Sequence, residues 1–145
     1  MNGQRLEATL AAKEGARRRV LVVDDSHDAR AILKLLLTKL GHETREAEDA
    51  ESGMAVSREF RPEVVFCDIV LSGKMSGYSF AKAARQESTF RDSCIVAVSG
   101  WEGPDHEQQA YEAGFDRVLQ KPVELTELAT ILQTLPRRVA QATKT

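Results

Sequence analysis

The sequence predicts an α/β domain built as a doubly wound, five-stranded parallel sheet in the order 2-1-3-4-5, with five helices. Three observations carry that expectation. Val20–Val23, Val64–Cys67 and Cys94–Val98 are uninterrupted apolar runs, as strands buried on both faces of a sheet must be. Each run is followed by a turn and then by a segment with helical spacing, and the cycle occurs five times. The two remaining strands are short and more polar, which places them at the edges once right-handed crossovers are imposed.

The elements follow in order. Val20–Val23 ends in Asp24-Asp25-Ser26, which supplies caps for a helix from about Asp28 to Leu40, with Ile32, Leu33, Leu36, Leu37 and Leu40 as its apolar positions. Gly41 stops that helix. His42–Ala47 is the second strand, and Asp49 caps a helix reaching about Glu59. Pro62 introduces the third strand, Val64–Cys67, and the loop from Ser72 to Gly77 leads to a helix from Tyr78 to about Glu87. After Cys94–Val98, Pro104 suits the first turn of the fourth helix, which Gly114 closes after Ala113. Val118-Leu119 is a minimal fifth strand, and Leu125–Leu135 forms the last helix before Pro136.

Composition narrows the function classes. A length of 145 residues suits one domain. With 42% hydrophobic and 29% charged residues, the chain is neither disordered nor fibrous. A net charge of -2 argues against a dedicated nucleic-acid binder. The richest apolar run, Ala31 to Leu40, is broken by Lys34, Thr38 and Lys39, so no membrane span is expected. With no apolar leader at the N-terminus and with Cys67 and Cys94 inside apolar runs as buried free thiols, the expected location is the cytoplasm. Residues 1–18 read as a flexible N-terminal arm, 19–135 as the folded domain and 136–145 as a polar C-terminal tail.

In doubly wound sheets, ligands bind at the carboxyl ends of the strands, where the winding direction switches. Strand 1 ends in Asp24-Asp25, strand 3 in Asp68, strand 4 in Ser99 and strand 5 in Lys121. Three crowded carboxylates repel one another unless a cation neutralises them. Oxygen ligands without His or Cys suit Mg²⁺. A metal, a lysine and a small hydroxyl donor are together the parts that hold a transferring phosphoryl group. Each residue alone is an ordinary cap or surface group; the joint placement carries the inference.

The motifs VLVVDD (Val20–Asp25), VVFCD (Val64–Asp68), VAVSG (Val96–Gly100) and AGFDRVLQKP (Ala113–Pro122) resemble the receiver domain of two-component response regulators over about residues 18–135. The resemblance implies a flavodoxin-like fold and a signalling role. Asp68 would be the phosphoacceptor. Asp24, Asp25, Asp68 and the backbone carbonyl of Val70 would hold Mg²⁺. Lys121 would contact the phosphoryl oxygens, with a cis Lys121–Pro122 bond, and Ser99 would supply the mobile hydroxyl. The phosphodonor would be a histidine kinase or a histidine phosphotransfer domain, docking on the first helix and the loop after the fifth strand. With only about ten residues after the last helix, a stand-alone, single-domain type is expected, its output being protein–protein binding or phosphorelay.

The sequence departs from the family pattern in three places. Val118 stands at the usual aromatic switch and has no ring to swing. The loop Ile69–Gly77 looks one residue longer than the family's, with Ser72 where proline is common and Lys74 close by. In the family the positions of Trp101 and Val70 flank the path of the hydrolytic water, so the resemblance implies either slow loss of phosphate or a partner contact at Trp101. His27, His42 and His106 share no ligand spacing, and Arg17-Arg18-Arg19 reads as a solvated flank. A flavin site is disfavoured by the acids after strand 1. The remaining alternatives are a degenerate receiver serving as a protein-binding scaffold and a Mg²⁺-dependent aspartyl phosphatase. The second would need an acid two residues after Asp68, where Val70 stands.

Overall fold

The computed structural model describes residues 17–71, 73, 75–100 and 103–135. Five parallel strands run in the order β2-β1-β3-β4-β5. They are β1 (Arg19–Val23), β2 (Glu43–Ala47), β3 (Val64–Asp68), β4 (Cys94–Ser99) and β5 (Arg117–Gln120). The helices are α1 (His27–Lys39), α2 (Ala50–Phe60), α3 (Gly77–Gln86), α4 (Pro104–Ala113) and α5 (Leu125–Thr134). The predicted fold class and order are those observed. Boundaries differ by a residue or two, because Asp68 and Ser99 still pair with their neighbours, Asp68 opposite Val98 and Ser99 opposite Gln120.

Alternation along the strands divides the core in two. Leu21, Val23, Val65, Cys67, Ile95 and Ala97 face α2, α3 and α4 through Met54, Phe80 and Ala110. Val20, Val22, Val64, Phe66 and Val96 face α1 and α5 through Leu33, Leu37, Leu128 and Leu132. Cys67 and Cys94 are buried and not joined in a disulfide. Ser26 caps α1 by accepting from Ala29 N–H, and Asp49 caps α2 in a reciprocal box with Ser52. The α2 C-terminus has no glycine. Arg61 itself takes the left-handed conformation there, with φ 51°, and its carbonyl is held by Arg19 Nε at 3.0 Å.

Arg85 on α3 secures the segment leading into β5. Its guanidinium donates to the carbonyls of Gly114, Arg91 and Ser93 and to the Asp116 carboxylate.

Two sequence expectations need revision here. The arginine run is only partly solvated: Arg18 is buried, its N–H donates to His42 Nδ1, and its guanidinium donates to the Leu135 carbonyl. Arg17 and Arg18 therefore dock onto the base of the sheet, and residues 1–16 of the expected arm lie outside the described residues. Ile32, placed on the apolar stripe of α1, is instead 60% exposed, as is Leu35 at 56%. The buried face of α1 is the narrower set Leu33 and Leu37, continued by Leu40 at the C-cap. Among the described residues, no helix is long and apolar enough to cross a membrane.

Candidate functional site

β1 and β3 are adjacent, so their carboxyl ends bring Asp24, Asp25 and Asp68 together. One carboxylate oxygen from each lies within 4.8 Å of the others. Asp24 and Asp68 are buried and Asp25 is exposed. Lys121, from the loop after β5, closes the cluster: its Nζ donates to Asp24 Oδ2 at 3.2 Å and to Asp68 Oδ2 at 3.1 Å. The backbone sets its position. Lys121 N–H donates to the Ser99 carbonyl at 2.9 Å, and the Lys121–Pro122 peptide is cis. Ser99 is buried at the end of β4, beside this turn.

The other oxygens of the acids are held locally. Ser26 N–H donates to Asp24 Oδ1 at 2.9 Å and Val70 N–H to Asp68 Oδ1 at 3.1 Å. Val70 thus brings its backbone against Asp68, while its side chain is 52% exposed at the mouth of the site. Burial raises the Asp68 carboxyl above the ordinary carboxylate range, against the opposing hydrogen bond and charge of Lys121. For Lys121, burial works to lower the ammonium's value, but the hydrogen bond to Asp68 and the pull of both acids raise it. Burial, with Asp68 and Asp24 adding to it, pushes the Cys67 thiol well up, so it is a packed, protonated group and not a nucleophile.

Hard carboxylate oxygens converging from two strands, partly exposed through Asp25, match the donor set that Mg²⁺ takes along with water and phosphate oxygens. The arrangement fits the ion.

Two residues for which the sequence predicts no site role also shape the site. Gly77, the first residue of α3, lies against the Asp68–Ile69 peptide, and its N–H donates to the Ile69 carbonyl at 2.9 Å. A Cβ there would stand 2.3 Å from the Asp68 carbonyl oxygen, so the approach admits only glycine. A glycine immediately after the Ser76 cap, where a better helix former would serve the helix, is the signal that could have revealed it. Arg30 reaches back from α1 to the Asp24 carbonyl at 2.8 Å. Its spacing, one helical turn after Ser26, was the available clue.

Beyond the carboxylates, a groove of about 380 Å³ runs between α1 and the loop after β5, lined by Ala29, Ile32, Leu36, Pro122 and Val123 and bounded by Asp24 and Lys121. Val118 is half-buried on β5, opposite Ala97, and packs towards the α3–α4 side. Lys74 and Trp101 lie outside the described residues.

Comparison with known proteins gives the family. The family model described as "Response regulator receiver domain" matches residues 20–133. The chain belongs to the response regulator receiver domain family. The receiver resembles the phosphate regulon transcriptional regulatory protein PhoB of Escherichia coli (strain K12), at 30% identity over 123 residues, 85% of this chain and 53% of that protein. It resembles the transcriptional regulatory protein YxdJ of Bacillus subtilis at 34% identity over 104 residues, 72% of this chain and 44% of that protein. The chain therefore spans about half the length of the curated relatives it matches. Among solved structures, chemotaxis protein CheY4 of Vibrio cholerae superposes with a TM-score of 0.77 and 28% identity, over 83% of this chain and 99% of that one. NtrX from Brucella abortus gives a TM-score of 0.75 and 27% identity over 88% of this chain and 28% of that one. Receivers are signalling domains of two-component systems, phosphorylated by histidine kinases and binding Mg²⁺ at an acidic pocket.

Proposed function

We propose that this receiver accepts a phosphoryl group on Asp68 from a phosphohistidine of a histidine kinase or histidine phosphotransfer domain. The observation that carries the reading is Lys121 Nζ bridging Asp68 and Asp24, with Asp25 alongside, at the switch edge of the sheet. An Asp68 carboxylate oxygen attacks phosphorus as the phosphorus–nitrogen bond breaks. The electron pair leaves with the imidazole, which takes a proton from water, and the product is an aspartyl phosphate.

Asp24, Asp25 and Asp68, with the Val70 carbonyl, would hold Mg²⁺; bound there, the ion supplies neutralisation of the charge gathered on the phosphoryl oxygens. Lys121 releases its hold on the carboxylates to pair with a phosphoryl oxygen, and Ser99 donates its hydroxyl to another. The groove beside α1, with Ile32 exposed at its rim, is the apolar surface on which the phosphodonor docks. Phosphorylation adds about −1.5 to −2 charge beside Lys121 and Ser99, enough to bias the surrounding loops between two arrangements. Because Val118 offers no aromatic ring, that bias is read out by loop and backbone movement, for protein–protein binding or onward phosphorelay.

Intact-mass measurement after incubation with acetyl phosphate and Mg²⁺ tests the reading. Wild type gains the mass of one phosphoryl group, and Asp68→Ala and chelated samples do not. Label persisting in Asp68→Ala moves the acceptor elsewhere. A wild type that takes no label is a degenerate receiver acting as a binding scaffold.

A further inference from the structure

We propose that Arg30 is a positioning residue for the cation site, acting through the backbone of Asp24. The inference rests on reading Asp24, Asp25 and Asp68 as the Mg²⁺ ligands. Asp24 is held from four directions: its N–H donates to the Ala47 carbonyl on β2 at 3.1 Å, Oδ1 accepts from Ser26, Oδ2 accepts from Lys121, and its carbonyl accepts from Arg30 Nη1 at 2.8 Å. The Lys121 bond must open when a cation or phosphoryl group arrives. Arg30 is then the one side chain among these partners still gripping the residue.

The grip is itself anchored. Arg30 Nε donates to Glu46 Oε1 on β2 at 2.8 Å, and Lys34 Nζ reaches Glu46 Oε2 at 2.8 Å. Those two cations, Lys34 first and Arg30 second, hold the Glu46 carboxyl below its ordinary range. The Arg30 side chain is only 12% exposed. A planar guanidinium spans both partners at fixed geometry, whereas a lysine ammonium would reach one or the other. The fork therefore pins the turn between β1 and α1 against β2. That fixes the direction in which Asp24 and Asp25 leave the strand, as outer partners orient ligands in metal sites generally. Glu46 offsets the guanidinium charge, so geometry and not repulsion of the ion is its contribution.

The test is titration of the full chain with MgCl₂ alone, followed through the Ser26 and Val70 amide resonances. Arg30→Gln is expected to weaken Mg²⁺ binding about tenfold or more, the range typical of outer-partner loss. Arg30→Lys is expected not to restore it. The loss should also be absent in an Asp24→Asn background, since the effect passes through Asp24; a merely destabilising change would add to Asp24→Asn. Unchanged or tighter binding in Arg30→Gln overturns the inference, as does full rescue by Arg30→Lys or simple additivity with Asp24→Asn. Should Arg30→Gln not fold, Glu46→Gln is judged by the same criterion: weaker binding supports the fork, and unchanged binding overturns it. A wild type with no saturable Mg²⁺ response removes the metal-site reading itself, a result distinct from failure of the Arg30 role alone.

Discussion

Lys121 Nζ stands 3.1 Å from Asp68 Oδ2, joining residues 53 positions apart in sequence. The same ammonium contacts Asp24 at 3.2 Å, so one lysine serves as counter-ion to two of the three acids. Lys121→Gln is expected to free two carboxylate oxygens and tighten Mg²⁺ binding. It should also slow phosphorylation by about a hundredfold, as loss of a donor to the transition-state oxygens does. Magnesium titration and timed intact-mass labelling of one preparation check both directions.

The raised Asp68 carboxyl makes a prediction about stability and pH. Its proton is held more tightly folded than unfolded, so the ionised side chain costs stability at neutral pH. Protonation restores that stability as pH falls through the folded value, and the gain is complete below the unfolded value. Asp68→Asn, neutral throughout, should be more stable than wild type at pH 7, and the difference should shrink as the solution is acidified towards the ordinary carboxylate range. Urea midpoints at several pH values measure it. A wild type as stable as Asp68→Asn at pH 7 would contradict the balance of burial against Lys121.

Gly77→Ala forces a carbon to within 2.3 Å of the Asp68 carbonyl and 2.7 Å of Ile69 Cα, both backbone atoms that cannot swing aside. Displacement of the α3 N-terminus or of the Asp68–Ile69 peptide follows. Overpacking of this kind costs about 1–3 kcal/mol. Chemical denaturation should register that loss, and phosphorylation of the folded variant should slow because Asp68 has moved.

Val70, apolar and half in solvent, lies two residues after Asp68, and its N–H is bonded to the Asp68 carboxylate. Water approaching an aspartyl phosphate gains no orienting hydrogen bond there. We expect Val70→Glu to shorten the phosphorylated lifetime severalfold by supplying a group that can align the water. Trp101→Glu should act in the same direction. Loss of label after removal of the phosphodonor is the readout, and a lifetime unchanged in both variants would favour the partner-binding role for Trp101.

Much of the molecule is legible in the sequence. Val20–Val23, Val64–Cys67 and Cys94–Val98 are strands in any context that buries both faces, and Ser26 and Asp49 cap their helices through contacts within three residues. The winding rule then assigns Asp24, Asp25, Asp68, Ser99 and Lys121 to one edge, since each lies at or just beyond the carboxyl end of a strand. Ile32 departs from its expected place because helical spacing shows which residues share a stripe but not how wide a stripe the sheet covers. The burial of Arg18 is invisible to local patterning because its acceptor, the Leu135 carbonyl, is 117 residues away.

Local chemistry therefore determined the order of elements, the sheet and the acidic edge, because periodicity and turn residues act over a few positions along the chain. Tertiary structure decided the rest: that Lys121 spans two acids, that Arg30 braces Asp24 against Glu46, and that Gly77 must lack a side chain. Those are distances between segments whose packing fixes them to a fraction of an ångström, and spacing along a chain carries no such information.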